Sequence, residues 1–347
     1  MHRHSQDEEH CRTGALPKIR APCPPNLLTP LFAYAQAVTS VARLEWSLCH
    51  GCPPSSVCAT AAGVGRVDVL SYAHVVGCPW DEFTCSRAAA RGHITCLRYL
   101  HEMGCPWDVT TCGNAAAYGQ LPCLVYAHNE GCAWDESTCA GAAQYGKLEC
   151  LEYAHEHGCD WDEATCANAA AHDHLECLQY AHTRGCPWSS DICDLAAAGG
   201  HLAILQFAHE HECPWGQETC VHAAEHGHIE LLRYAHEQGC PWWDELSTSS
   251  FAAANGHLEC LRYAHEKGCR WDEATCSEAA TNGRLECLRY AREHGCPWDD
   301  ETCRSAAAHQ QYDCLLYALG AGCPCDDGPT LRLLSRMWPA EAPVCVE

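Results

Sequence analysis

Glycines divide this chain at regular intervals, and between them apolar and polar positions alternate with the period of a helix. In residues 77–103, GCPWDEFTCSRAAARGHITCLRYLHEM, the small residues Cys85, Ala88 and Ala89 make one stripe, and Ile94, Cys96, Leu97 and Leu100 make another. The spacing predicts a first helix over 81–91 and a second over 94–103. Asp81 is placed to cap the first, Glu82 suits its positive first turn, and alanine on the inner stripe admits a close neighbour. Gly92 ends the first helix, and Gly104 supplies a left-handed stop for the second. Pro106 and Trp107 link to the next copy.

The copies are the main fact about the sequence. The glycine–cysteine start recurs at Gly104, Gly131, Gly158, Gly185, Glu212 (in place of glycine) and Gly239, each 27 residues after the last. It returns at Gly268 after 29, then at Gly295 and Gly322 after 27, and Gly51 opens an earlier copy of 26. A period of this length is the signature of a solenoid, in which each unit buries its apolar face against its neighbours. We therefore expect an all-α, helical-repeat solenoid of ten helix-turn-helix units over 51–321. Residues 25–50 read as a degenerate N-terminal capping repeat, with Leu27, Leu31, Phe32, Val41, Leu44 and Leu48 at helical spacing. Residues 322–347 read as a C-terminal half-repeat cap with a last helix over 329–337 and a tail. Residues 1–24 hold almost no large apolar side chains and are expected to be disordered. The loop around Trp243 and Asp244 is two residues longer than its equivalents, a tolerated insertion or a local binding bump.

Aligned on its Gly-His, the consensus T-C-x-x-A-A-x-x-G-H-L-E-C-L-x-Y-A-H-E-x-G-C-P-W resembles the ankyrin repeat, whose T-P-L-H-x-A-A-x-x-G-H and V-V-x-L-L-L-x-x-G-A-D it matches in order. The unit is shorter than the family's, 27 residues against about 33. The missing residues fall where ankyrin repeats project a β-hairpin. The resemblance implies a protein-binding scaffold whose contacts lie on the concave end of the first helices. In this sequence that position, just before the mid-unit glycine, holds Arg91, Tyr118, Tyr145, His172, His226, Asn255 and Asn282, which we take as the partner-binding residues. Tyr118, Tyr145 and His172 can bury aromatic area as a hot spot does.

Composition narrows the partner. Over 347 residues the formal charge is -24, from 45 acidic against 21 basic side chains. Such a surface repels nucleic acid and anionic membranes and favours a basic protein partner. No apolar run is long enough for a membrane helix and no secretory leader opens the sequence. A cytoplasmic, alternatively nuclear, monomer is expected, with its 32 cysteines mostly reduced.

Cysteine with histidine suggests zinc, but comparing the copies argues against it. The second-helix slot of Cys96, Cys123 and Cys150 holds Val69, Ile204 and Leu231 in other units, as a core position does and a ligand position does not. The slot after the unit-opening residue (Cys52, Cys78 and on to Cys323) is always cysteine, yet stacked copies lie roughly 8–10 Å apart, too far to share an ion bound at about 2.3 Å. Histidines after the mid-unit glycine (His93, His174, His201, His228, His257) alternate with Arg66, Gln120, Lys147 and Arg284, which indicates a turn role. Those near the end of the second helix (His101, His128, His155, His182, His209, His236, His265) suit the helix dipole. Tryptophan once per unit suggests packing over the seam between units. No Gly-rich phosphate loop, G-x-S-x-G or H-E-x-x-H is present, so no catalytic, metal, cofactor or small-molecule substrate site is expected. The alternatives are a thiol-rich metal or redox buffer and a structural spacer.

Overall fold

The structure, a computed structural model, describes residue 35 and residues 37–216, 218–242 and 248–324. The expectations for residues 1–24, for the loop at Trp243 and for the helix over 329–337 lie outside these residues. Among the described residues the chain forms 21 α-helices and no strand, and consecutive elements pack on one another in the order of a helical-repeat solenoid. It divides into two compact units, residues 1–187 and 188–347.

In the first, α1 (Val41–Cys49) precedes five helix pairs: α2 (Val57–Gly63) with α3 (Val67–Val75), α4 (Glu82–Ala90) with α5 (Ile94–Glu102), α6 (Val109–Ala117) with α7 (Leu121–Asn129), α8 (Glu136–Gln144) with α9 (Leu148–Glu156), and α10 (Glu163–Ala171) with α11 (Leu175–Thr183). The second holds α12 (Asp191–Gly199) with α13 (Leu202–Glu210), α14 (Thr219–Glu225) with α15 (Ile229–Glu237), α16 (Thr248–Asn255) with α17 (Leu258–Glu266), α18 (Glu273–Thr281) with α19 (Leu285–Glu293), and α20 (Asp300–Ala308) with α21 (Tyr312–Gly320). Within each, first helices pack side by side in one row and second helices in another. The first helices face one another through fully buried alanine and cysteine, as at Ala142, Ala143 and Cys139, and the second helices bring leucine inward, as at Leu124, Leu151 and Leu178.

The predicted first helix is a residue shorter at each end, because its terminal residues are caps. The Asp81 carboxylate accepts from the Thr84 amide at 3.2 Å while Thr84 Oγ1 accepts from the Asp81 amide, a reciprocal capping box. Asp108, Asp135, Asp162, Asp272 and Asp299 cap their helices in the same position. Replacing one such cap, Asp162→Ala, is expected to lower stability by about 1 kcal/mol in urea unfolding with the helix otherwise retained.

Glu212, standing where other units have glycine, has φ 60°. The open surroundings of its equivalents show how a side chain is accommodated: a Cβ at Gly131 or Gly158 would meet nothing within 4 Å, so the only cost is the left-handed backbone.

Candidate protein-binding face

The unit-opening cysteines explain their own constancy. Cys105, Cys132, Cys159 and Cys186 each donate their thiol to the backbone carbonyl of the capping aspartate 24 residues earlier, at 3.4, 3.2, 3.1 and 3.2 Å. Cys296 and Cys323 do the same in the second unit. The slot needs a small, buried side chain that donates, and alanine or valine would leave that carbonyl without its partner. Sequence comparison set like cysteines against like and missed that unlike ones meet. Cys132 sits beside Cys112 and Cys159 beside Cys139, a pairing that, followed by burial, raises the pKa of Cys112 and Cys139. In the second-helix slot, burial alone pushes Cys123 up to about 11, and burial is also the largest cause of the same rise at Cys150. Among the described residues Cys49 is disulfide-bonded and the other cysteines are in no disulfide.

The second-helix histidines do something other than complement a dipole. His155 stacks on Trp161 at 3.7 Å and 9°, its Nδ1 lies 3.2 Å from the Tyr180 hydroxyl, and Trp161 meets Tyr180 edge-on at 6.2 Å. Trp161 thus bridges the end of one repeat and the second helix of the next, the seam packing expected of it. The same trio recurs as His101, Trp107 and Tyr126, and as His265, Trp271 and Tyr290. Burial lowers the pKa of His128, His155, His236 and His265. These rings therefore favour the neutral form, and dipole stabilisation of a cation is not their main role.

The residues after the mid-unit glycine reach back over the preceding repeat. His174 covers Gly146, where an added Cβ would lie 2.5 Å from its Nδ1, and Arg284 Nε donates to the Ala254 carbonyl at 3.3 Å. Long polar side chains of several types can make this cover, which accounts for the variety at the position.

The seven residues assigned to partner binding are all exposed and stand at the C-terminal ends of first helices. Tyr118 and Tyr145 come together: they are 51% and 47% exposed, yet their rings stack at 5.7 Å and 22°. Arg91 occupies the same cap position on α4. The other four turn back on their own helices. His172 Nδ1 lies 3.0 Å from the Asn168 carbonyl and His226 Nδ1 3.0 Å from that of His222. Asn255 and Asn282 donate to the carbonyls of Phe251 and Glu278. Each adds a side-chain bond to a carbonyl of the last helical turn, and at His222 and Glu278 that carbonyl also accepts the amide of the same cap residue. His172 is thereby held to α10 by its own cap bond, while the stacked aromatic surface is made by the two tyrosines.

No protein-family model matches the chain, and no curated protein is similar enough to it to serve as a relative. The geometry carries the functional argument alone. A solvent-open groove between α5 and α7, lined by Arg98, His101, Glu102, Pro122, Tyr126 and Glu130, lies on the second-helix row. Among the described residues no helix is long and apolar enough to cross a membrane.

Proposed function

We propose that the chain is a non-enzymatic, ankyrin-like scaffold that binds a partner protein through the first-helix ends of its repeats. The observation that carries this reading is the stacked pair Tyr118 and Tyr145. Tyr126, Tyr153 and Tyr180 on the second helices are spent on the seam, half-buried against histidine and tryptophan. Tyr118 and Tyr145 instead stack on each other in the open, at a position where short polar side chains suffice to cap the helix. Exposed, preorganised aromatic area with few rotatable bonds is what interface hot spots use. Arg91 beside them extends the surface, and the charge of -24 favours a partner with basic side chains.

The thiol-buffer alternative is weakened by burial. Exchange with a redox pool requires accessible thiolate, and the described cysteines outside a disulfide are buried except for the half-buried Cys52.

The test is a comparison of proteins captured from cell extract by the wild-type chain and by the triple variant Y118A/Y145A/H172A. The scaffold reading expects specific partners to be lost, with about 2 kcal/mol or more of binding free energy removed where the tyrosines are hot spots. Retention of every partner at unchanged affinity would support a structural spacer. H172A alone is expected to act mainly on the end of α10.

A further inference from the structure

Helix α14 carries side chains that the repeat does not dictate. His222, Glu225 and His226 stand at i, i+3 and i+4, on one face of a helix, and one ligand atom from each lies within 4.8 Å of the others. Elsewhere the Glu225 position is mostly alanine (Ala90, Ala117, Ala171, Ala198), and the His222 position holds such residues as Asn114 and Asn168. The comparison that removed the cysteines as metal ligands therefore has the opposite outcome for this set: no packing requirement common to the repeats accounts for it.

The rings are already oriented. His226 Nδ1 is 3.0 Å from the His222 carbonyl, which only accepts, so Nδ1–H donates and Nε2 keeps its lone pair. His222 Nε2 is 3.0 Å from a Glu218 carboxylate oxygen, and its Nδ1 faces Glu225 Oε2 at 3.4 Å. An imidazole donating through Nε2 presents a lone pair to that second carboxylate. Two electron pairs so placed need a proton or a cation between them. Asp194, on neighbouring α12, interacts electrostatically with both His222 and Glu218 and adds negative potential.

We propose that His222 Nδ1, a Glu225 carboxylate oxygen and His226 Nε2 bind one divalent transition-metal cation of the zinc class. Glu218 and the His222 carbonyl serve as the outer partners that hold metal-bound imidazoles in one tautomer. Two imidazoles and a carboxylate form a three-ligand zinc set that leaves a fourth position for water or a partner's side chain. Rotation of these solvent-accessible side chains closes the set around the ion.

The test is calorimetric titration of the chelator-free full chain with zinc, and of variants that install residues the other repeats already use: H222N, E225A and H226N. Asn255 and Asn282 already serve as helix caps at the His226 position, so H226N removes the ligand and keeps the fold. Expected are one saturable site in the wild type, loss of that site in each of the three variants, and weakening by about 10–100-fold in E218Q. Cobalt bound in place of zinc should lack the strong near-ultraviolet thiolate charge-transfer band. Wild-type protein that binds no zinc, a site that survives H222N/H226N, or a thiolate band in the cobalt spectrum would each overturn the proposal.

Discussion

Replacing Leu151 by alanine is expected to lower stability by about 2–5 kcal/mol, the range for truncating a fully buried leucine. Leu151 lies on α9 with no exposed surface, facing the small-residue stripe of its own first helix and flanked by α7 and α11. That stripe is alanine and cysteine, side chains too short to fill the gap, so the cavity should persist. Each repeat is held by its neighbours, so the damage should be local before it is global. Hydrogen exchange should show protection lost first in α8 to α11, with the distant repeats less affected. A repeat array can depart from two-state unfolding, which makes exchange the sharper measurement. The control is Leu316→Ala on α21, where the side chain is 41% exposed, with an expected change within about 0.5 kcal/mol. Equal losses at the two sites, or protection lost uniformly along the chain, would count against nearest-neighbour stabilisation.

Acidification is expected to weaken the fold at several seams together. His128, His155, His236 and His265 have folded pKa values lowered from the usual 6.5, with burial against tryptophan and tyrosine as the largest cause. The unfolded chain therefore takes up protons that the folded chain refuses, and stability rises with pH across the interval between the two values. The contribution is complete above the unfolded value near 6.5 and is lost as pH falls from there to the lowered folded values. For His155, Arg184 acts in the same direction as burial and Glu156 opposes it; for His265, His294 and Glu266 play those parts. Melting temperature measured from pH 7.5 to 5.5 should fall, and substituting His155 and His265 by glutamine should flatten the profile. The acidic surface opposes the trend, because protonating exposed histidines reduces self-repulsion. A melting temperature that rises on acidification would show that surface charge outweighs the seams.

The cysteines and histidines mark where reading the sequence stops being sufficient. Comparison of the copies identified Cys96 and its equivalents as core, since Val69, Ile204 and Leu231 replace them, and the structure buries them all. The unit-opening cysteine had no such substitutes to explain it. In most copies, Cys105, Cys132, Cys159 and Cys186 among them, its partner is a backbone carbonyl 24 residues earlier, whereas Cys52, Cys240 and Cys269 donate to the carbonyl of the next residue, and carbonyls carry no sequence signal. The residues assigned to partner binding stand at exposed helix ends, but the helix-capping bonds of His172, His226, Asn255 and Asn282 depend on a carbonyl four residues back and on the rotamer that reaches it. The set on α14 escaped notice for another reason. Asking which residues recur in every unit discards a group assembled once, although His, Glu and His at i, i+3 and i+4 were visible as a spacing.

What the sequence by itself determined is the period, the two helices of each unit, their caps and their inward faces. These follow from side-chain size, capping chemistry and helical spacing, all of which act within a few residues. The tertiary structure decided which of the repeated polar groups are spent on the stack. Thiol meets carbonyl, imidazole lies on indole, and a long polar side chain covers a neighbour's glycine only when successive repeats are brought into register. The stacking of Tyr118 on Tyr145, 27 residues apart, comes from that same register.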